Sequence, residues 1–217
     1  MSIIDIVNNS IYFFLAAVAL IGVFMVILIM RRIAQKRFSS AGQTRDFFDE
    51  IYSSLDRRDF DAVVAKCDSP PFWSKATPQL MLLAVENRGL PAGKLRRLVA
   101  ERFERDVLAD LEYRTSWVGT AVKTAPMLGL LGTVLGMIAA FEKIAGASAQ
   151  GVKPAALAGD ISFALWTTAI GLFIAVPLVM AGNVITVRIG KLQDSVQEQL
   201  GEFLDRMSAV LDEDRPA

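Results

Sequence analysis

The chain has 217 residues, of which 53% are hydrophobic, and its 23 Lys and Arg residues balance 23 Asp and Glu residues. The even charge gives no reason to expect nucleic acid as a partner. The chain contains no histidine and one cysteine, which excludes His-ligated metal sites, His-containing catalytic triads and an intrachain disulfide. We therefore expect neither enzymatic activity nor a bound cofactor or metal.

Three long runs carry no charge: residues 11–30, 124–141 and 161–187. A helix of twenty residues covers roughly 30 Å, the thickness of the hydrocarbon core of a bilayer. The alternatives are buried helices of a soluble protein and, for the first run, a signal peptide. The start MSIIDIVNNS has no positive charge and no small-residue cleavage site follows Met30, which argues against a signal peptide. The fold class is thus predicted as an all-α membrane protein with three transmembrane helices.

The positive charges predict the orientation. The sequence RRIAQKR follows the first run, and 21 of the 23 Lys and Arg residues fall in residues 31–123 and 188–217. Because Lys and Arg concentrate on the cytoplasmic side, we expect residues 1–10 and the loop 142–160 to lie outside. Residues 31–123 then form a cytoplasmic helical domain, and residues 188–217 a cytoplasmic helical tail.

Apolar spacing and chain breakers predict the helices of this domain. Short helices are expected over 47–55, 59–67 and 77–88, separated by Pro70-Pro71 and Gly89-Leu90-Pro91. From Lys94 an amphipathic helix is expected to run without a break into the second span. Cys67 fits a small buried apolar residue better than a redox site.

The tail continues the third span with an apolar stripe. Its members recur every three or four residues, which is the period of one helix face: Leu192, Val196, Leu200, Phe203, Met207 and Val210. Two partners remain open for this stripe. It packs either on the chain's own helix over 94–118 or on another copy of the protein.

Small residues recur along the second and third runs. The sequence GLLGTVLG lacks the lysine of a phosphate-binding loop and lies inside an apolar run. Gly132 and Gly136 form instead a GxxxG step, with Gly129 beside it, and Gly171 belongs to a similar ridge in the third run. Such ridges let two membrane helices approach closely, so we expect the two spans to pack as a hairpin or to face a shared partner.

Three hydroxyl residues interrupt these apolar runs: Thr133, Thr167 and Thr168. Each hydroxyl either bonds a carbonyl one turn earlier in its own helix or faces a narrow, partly hydrated channel. The three runs contain no Asp, Glu or Lys, so a proton or sodium carrier would have to come from another protein. Pro177 is expected to bend the third helix near residue 173 and is counted with the packing residues.

These residues carry a family resemblance. The stretch APMLGLLGTVLGMIAAF (125–141) resembles the second-span signature of the ExbB/TolQ proton-channel family, related to MotA, and TTAIGLFIAVPLVMAGN (167–183) is similar to its third-span signature. The three-span topology fits the ExbB/TolQ-like branch. One departure stands at Phe163, where members of this branch usually have a glutamate, five residues before Thr168. This departure indicates a divergent branch.

The resemblance implies an ion-driven stator in the bacterial inner membrane. It implies a pentamer around the transmembrane helices of an ExbD/TolR-like single-span protein, whose membrane aspartate carries the ion. Thr133 and Thr168, with Thr167 beside them, would then line the ion pathway. Membrane lipid and a TonB/TolA-like or gliding-machinery protein would be further partners. The alternatives kept are a non-conducting oligomeric scaffold and, less favoured, a membrane enzyme.

Overall fold

A computed structural model describes residues 3–38, 40–146 and 154–212. These residues form seven α-helices and one π-helical turn: α1 (Ile3–Lys36), α2 (Ala41–Asp56), α3 (Phe60–Cys67), α4 (Ala76–Glu86), α5 (Ala92–Phe103), the π turn (Glu104–Leu108), α6 (Ala109–Ala145) and α7 (Pro154–Asp212). The predicted all-α class is therefore confirmed for the part of the chain that the structure describes.

Three helical stretches are long and apolar enough to cross a membrane: Ser10–Lys36, Ala92–Ala145 and Leu157–Leu211. They contain the three predicted runs, and many of their large apolar side chains are exposed, among them Phe13, Met127 and Phe173. Such surface is costly in water and stable in lipid or against another protein. The chain is a multi-pass membrane protein. The orientation and the limits of the predicted segments stay predictions.

The chain divides into two compact units. The described residues of Met1–Leu28 together with Arg114–Ile185 form the first, here called the apolar unit. The described residues of Ile29–Tyr113 together with Thr186–Ala217 form the second, here called the polar unit. Helices α1, α6 and α7 contribute residues to both.

The polar unit has its own hydrophobic core. Phe47, Ile51 and Leu55 on α2 are almost fully buried, as are Met81 on α4 and Phe203 on α7. An aromatic cluster adds to it, in which the ring centroids of Phe47 and Phe72 lie 4.5 Å apart. Burying a large apolar side chain contributes about 1.5–3 kcal/mol, so this core stabilises short helices that would be marginal alone.

Helices α2, α3 and α4 correspond to the predictions over 47–55, 59–67 and 77–88, with different limits. Helix α2 begins six residues before the predicted start, because the Ser40 hydroxyl accepts a hydrogen bond from the Gln43 backbone N–H (3.2 Å) and caps the helix. Asp59 caps α3 in the same way through the Ala62 N–H (2.9 Å). Cys67 is buried, as expected.

The helix predicted to run unbroken from Lys94 into the second span contains the π turn. Buried residues recur at steps of four over Leu95, Val99, Phe103, Val107 and Leu111, and Leu108 is buried beside them. An ideal helix repeats every 3.6 residues, so a step of four drifts about 40° around the axis each time. One wider turn with i→i+5 bonds compensates this drift and keeps the stripe on the core side.

The apolar stripe of the tail is covered by other parts of the same chain. Leu192, Val196, Leu200, Phe203 and Met207 are all buried in the single chain. Thr77 of α4 bonds Gln199 at 2.7 Å, and Arg96 of α5 forms an ion pair with Asp205. The stripe therefore packs on the chain's own polar unit, and the hypothesis that another copy covers it is wrong for these residues.

Candidate functional site: the α6–α7 helix pair

In the apolar unit, α6 and α7 approach each other through glycines. A Cβ atom added at Gly129 would stand 2.8 Å from the Thr167 carbonyl oxygen, and one at Gly171 would stand 2.6 Å from the Ala125 carbonyl oxygen. Real Cβ atoms essentially never come this close to another atom. The atoms in the way belong to the backbone, which cannot rotate aside as a side chain can. The two helices thus touch backbone to backbone, the arrangement that small residues permit in membranes.

Two further glycines extend the contact toward the loop. A Cβ at Gly132 would collide with the Thr167 side chain, and one at Gly136 would stand 2.7 Å from the Ala164 Cβ. All four predicted packing glycines are buried. Pro177 lies inside α7 and is exposed in the single chain, so its predicted role in packing stays a prediction.

The hydroxyl groups of Thr167 and Thr168 both point to one carbonyl of the facing helix. The Thr168 hydroxyl donates to the Gly129 carbonyl oxygen at 3.0 Å. The Thr167 hydroxyl donates to Ala164 O of its own helix at 2.8 Å and also reaches Gly129 O at 3.3 Å. The absence of a side chain at Gly129 makes this cross-helix bond possible, because nothing shields its carbonyl.

Thr133 behaves differently. Its hydroxyl donates to Leu130 O, three residues earlier in α6, at 2.6 Å. Thr133 and Thr168 are half-buried, whereas Thr167 has no exposed surface. The structure thus gives Thr167 a position inside the helix contact, while Thr133 and Thr168 keep surface that another chain can reach. Their predicted place on an ion pathway stays a prediction.

An ion pair joins the loop ends of the two helices. The Lys143 ammonium lies 2.8 Å from Asp160 Oδ1 and 2.7 Å from Asp160 Oδ2. The Asp160 side chain is 19% exposed and that of Lys143 48%. The sequence did not lead us to expect this pair. Two opposite charges at the two ends of the loop between α6 and α7 could have indicated the ion pair.

Helix α1 packs on this pair, which the sequence analysis did not predict. A Cβ at Gly22 would stand 2.7 Å from Leu178 Cδ1 and 3.3 Å from the Ala121 Cβ. Nearer the N-terminus, the ring of Tyr12 meets that of Phe163 edge to face, with centroids 5.4 Å apart. Position 163 therefore holds an aromatic contact between α1 and α7.

The apolar unit presents hydroxyl and carbonyl groups but no carboxylate within its apolar runs. Among the described residues, no group of three or more His, Cys, Asp or Glu side chains could hold a metal ion. Residues 73–198, which include all of α6 and most of α7, match the MotA/TolQ/ExbB proton channel family. The chain belongs to this family.

Individual relatives support this membership. The chain is 35% identical to the Tol-Pal system protein TolQ of Haemophilus influenzae over 104 residues, which cover 48% of this chain and 43% of that protein. It is 45% identical to the biopolymer transport protein exbB1 of Vibrio cholerae over 62 residues (29% and 27%). It is 36% identical to the biopolymer transport protein ExbB of Pseudomonas putida over 121 residues (54% and 36%). The chain thus matches less than half the length of each of these three relatives.

Proposed function

We propose that this protein is a stator subunit of an ion-driven motor in the bacterial inner membrane. Five copies would enclose the transmembrane helices of an ExbD/TolR-like partner and convert proton flow into mechanical work on the cell envelope. Membership of the MotA/TolQ/ExbB proton channel family carries this proposal. The named relatives act in the Tol-Pal system and in biopolymer transport, which makes envelope processes the expected recipients of the work.

The chemistry of the α6–α7 pair supports the need for a partner. No Asp, Glu or Lys lies in the three apolar runs, so a carboxyl that carries the proton has to be brought by another chain. The Thr168 hydroxyl donates its own proton to Gly129 O. Its oxygen lone pairs then remain to accept a hydrogen bond from a protonated carboxyl, and the existing bond polarises the hydroxyl for this purpose.

The exposed apolar surface supports a multi-chain assembly. On α6, Met127 and Leu130 are 68% and 61% exposed, and on α7 Phe173 and Met180 are 80% and 66% exposed. Lipid covers part of such a surface, and neighbouring subunits and the partner helices cover the remainder in this proposal. Positive charge on residues 31–123 and 188–217 supports a cytoplasmic polar unit.

Native mass spectrometry of the protein, gently extracted from its own membranes, tests the proposal. We expect a pentamer that retains a smaller number of single-span chains, each with an aspartate in its span. A homo-oligomer without any such chain, under conditions that preserve lipid adducts, would contradict it.

One observation favours a second function, a non-conducting scaffold. The hydroxyl protons of Thr133, Thr167 and Thr168 are all donated to carbonyls of the same chain, as in threonines that serve packing alone. Proteoliposomes containing the purified complex separate the two functions. A stator carries protons under a membrane potential, whereas a scaffold leaves the internal pH unchanged.

A further inference from the structure

A polar cavity of about 260 Å³ lies in the polar unit, where the end of α1 meets α2, α4 and α7. Lys36 and Arg37 enter it from the end of α1, and Ser40, Thr44 and Ser195 contribute hydroxyl groups. The residues that line it include two cations and neither Asp nor Glu. Its apolar side is formed by Phe38, Leu192 and Val196. Nothing in the stator proposal uses this cavity.

The Lys36 ammonium is incompletely compensated. The Lys36 side chain is half-buried and is near the like charge of Arg32, which Asp110 and Asp106 oppose. Asp110 itself lies 3.6 Å from Arg32. One N–H of Lys36 is donated to Gln79 Oε1 at 2.9 Å, and an ammonium has three. An anion in the cavity would accept the others and stabilise the charged form.

Neighbouring hydrogen bonds leave two hydroxyl protons available. The buried Thr77 donates to Gln199 Oε1 at 2.7 Å, and Gln199 Nε2 donates to Ser195 Oγ at 3.2 Å. In this orientation of the amide, Ser195 accepts and its own O–H remains free to donate. Ser40 Oγ likewise accepts from the Gln43 N–H. The cavity thus offers a half-buried ammonium, a guanidinium and two O–H donors, and no carboxylate lines it. Such a set of donors suits an oxyanion with several acceptor oxygens.

We propose that this cavity binds the phosphate group of an anionic ligand, either the headgroup of an anionic phospholipid or a free phosphate. Its volume lies below the roughly 300–1,000 Å³ of pockets for drug-sized ligands, and a single phosphate group suits that size. Lys36 follows the last residue of the first apolar run, Met30, by six positions, which is roughly 9 Å along a helix. The cavity therefore lies near the depth of lipid headgroups, whose phosphate can enter beside the apolar residues.

The test uses the whole chain in a detergent-free nanodisc of phosphatidylcholine, which is a zwitterionic lipid. One arm replaces a tenth of the lipid by phosphatidylglycerol and counts retained phosphatidylglycerol by native mass spectrometry. The other arm adds inorganic phosphate, with chloride at equal ionic strength as reference, and records the melting temperature. Both arms compare the wild type with the double variant Lys36→Gln/Arg37→Gln and with Ser195→Ala. Arg57→Gln, which removes one exposed charge of the polar unit outside the cavity, is the control for the loss of a surface charge.

We expect the wild type and Arg57→Gln to retain the ligand equally. The double variant should bind at least about tenfold more weakly, because hydrogen bonds to a charged group are lost. Selective retention of phosphatidylglycerol identifies a lipid headgroup, and stabilisation by inorganic phosphate identifies the free anion. No preference in either arm overturns the proposal, and so does equal binding by all variants. Should the double variant fail to fold, unchanged binding by Ser195→Ala overturns it.

Discussion

The carbonyl group of Gly129 on α6 faces α7 and is within hydrogen-bond distance of the hydroxyls of Thr167 and Thr168. An added Cβ would stand 2.8 Å from Thr167 O and 2.9 Å from Thr168 Cα, both backbone atoms. Gly119, on the same helix, has no atom within 4 Å of an added Cβ. The two glycines share a helix and differ in what faces them, so Gly119 serves as a reference for Gly129.

Gly129→Ala and Gly119→Ala should therefore change stability in opposite directions. Alanine at Gly119 removes the helix penalty of glycine and should stabilise by up to about 1 kcal/mol. Alanine at Gly129 forces two backbones apart and should destabilise by about 1–3 kcal/mol. Thermal unfolding in a fixed detergent measures both. Equal effects of the two substitutions would contradict a close α6–α7 contact in the folded protein.

Thr168→Val tests the hydroxyl that faces Gly129 O. Hydrogen bonds between membrane helices contribute about 0.6 kcal/mol on average, so we expect a small loss of stability and normal assembly. Proton uptake by proteoliposomes of the partner-bound complex should nevertheless be abolished, and the same holds for Thr133→Val.

Thr168→Ser restores a hydroxyl and should recover uptake. Thr120→Val removes another hydroxyl of α6, bonded to Ser116 O at 3.0 Å, and should leave uptake intact. Normal uptake by both Thr168→Val and Thr133→Val would exclude these threonines from the proposed ion path.

Cys67 of the polar unit should be chemically inert while the protein is folded. Burial raises the pKa of its thiol from 9.0 to about 12. At pH 8 only about one thiol in ten thousand is then ionised, against about one in ten in the unfolded chain, and the thiolate is the reactive form. Alkylation by iodoacetamide should be at least about a hundredfold slower in the native protein than in denaturant. Similar rates in both states would contradict a buried Cys67.

At the scale of elements, helix ends and helix faces are held by different forces. The faces of α6 and α7 meet through glycines, which depends on shape. Their loop ends meet through Lys143 and Asp160, at 2.7 Å, which depends on charge. Because Lys143 is about half exposed, solvent screens this pair and its contribution should stay at or below about 1 kcal/mol.

A charge exchange tests the pair. Lys143→Asp and Asp160→Lys alone each bring like charges together, and each should lower the melting temperature of the complex. The double variant restores opposite charges and should regain most of the loss, with a coupling energy of up to about 1 kcal/mol. Additive losses in the double variant would indicate that the two side chains act independently in the membrane.

At the scale of the whole molecule, the predicted orientation rests on charge alone and can be tested directly. In a Cys67→Ser background, Glu142→Cys places a thiol at the loop end of α6, and Arg57→Cys places one on the polar unit. A membrane-impermeant maleimide should label Glu142→Cys in intact cells and Arg57→Cys only after permeabilisation. The reverse pattern would invert the predicted topology and remove the cytoplasmic location of the polar unit.

The sequence by itself determined the number of spans, the helical class and the residues able to form close helix contacts. These properties depend on local hydropathy, residue size and spacing, which add up along the chain without reference to partners. The family resemblance also followed from local stretches around Thr133 and Thr168. Local spacing likewise predicted the short helices, although the cap at Ser40 places the start of α2 earlier than predicted.

Only the tertiary structure decided which side each residue faces. Neighbouring positions on a helix differ by about 100° in direction, so Gly132 can meet α7 while Thr133 bonds its own helix. The same holds for the stripe around Phe203, which pattern alone could assign to this chain or to another copy. Contacts such as Gly22 with Leu178 and the cavity at Lys36 join residues far apart in the chain. Their formation depends on the packing of whole helices, which no local pattern encodes.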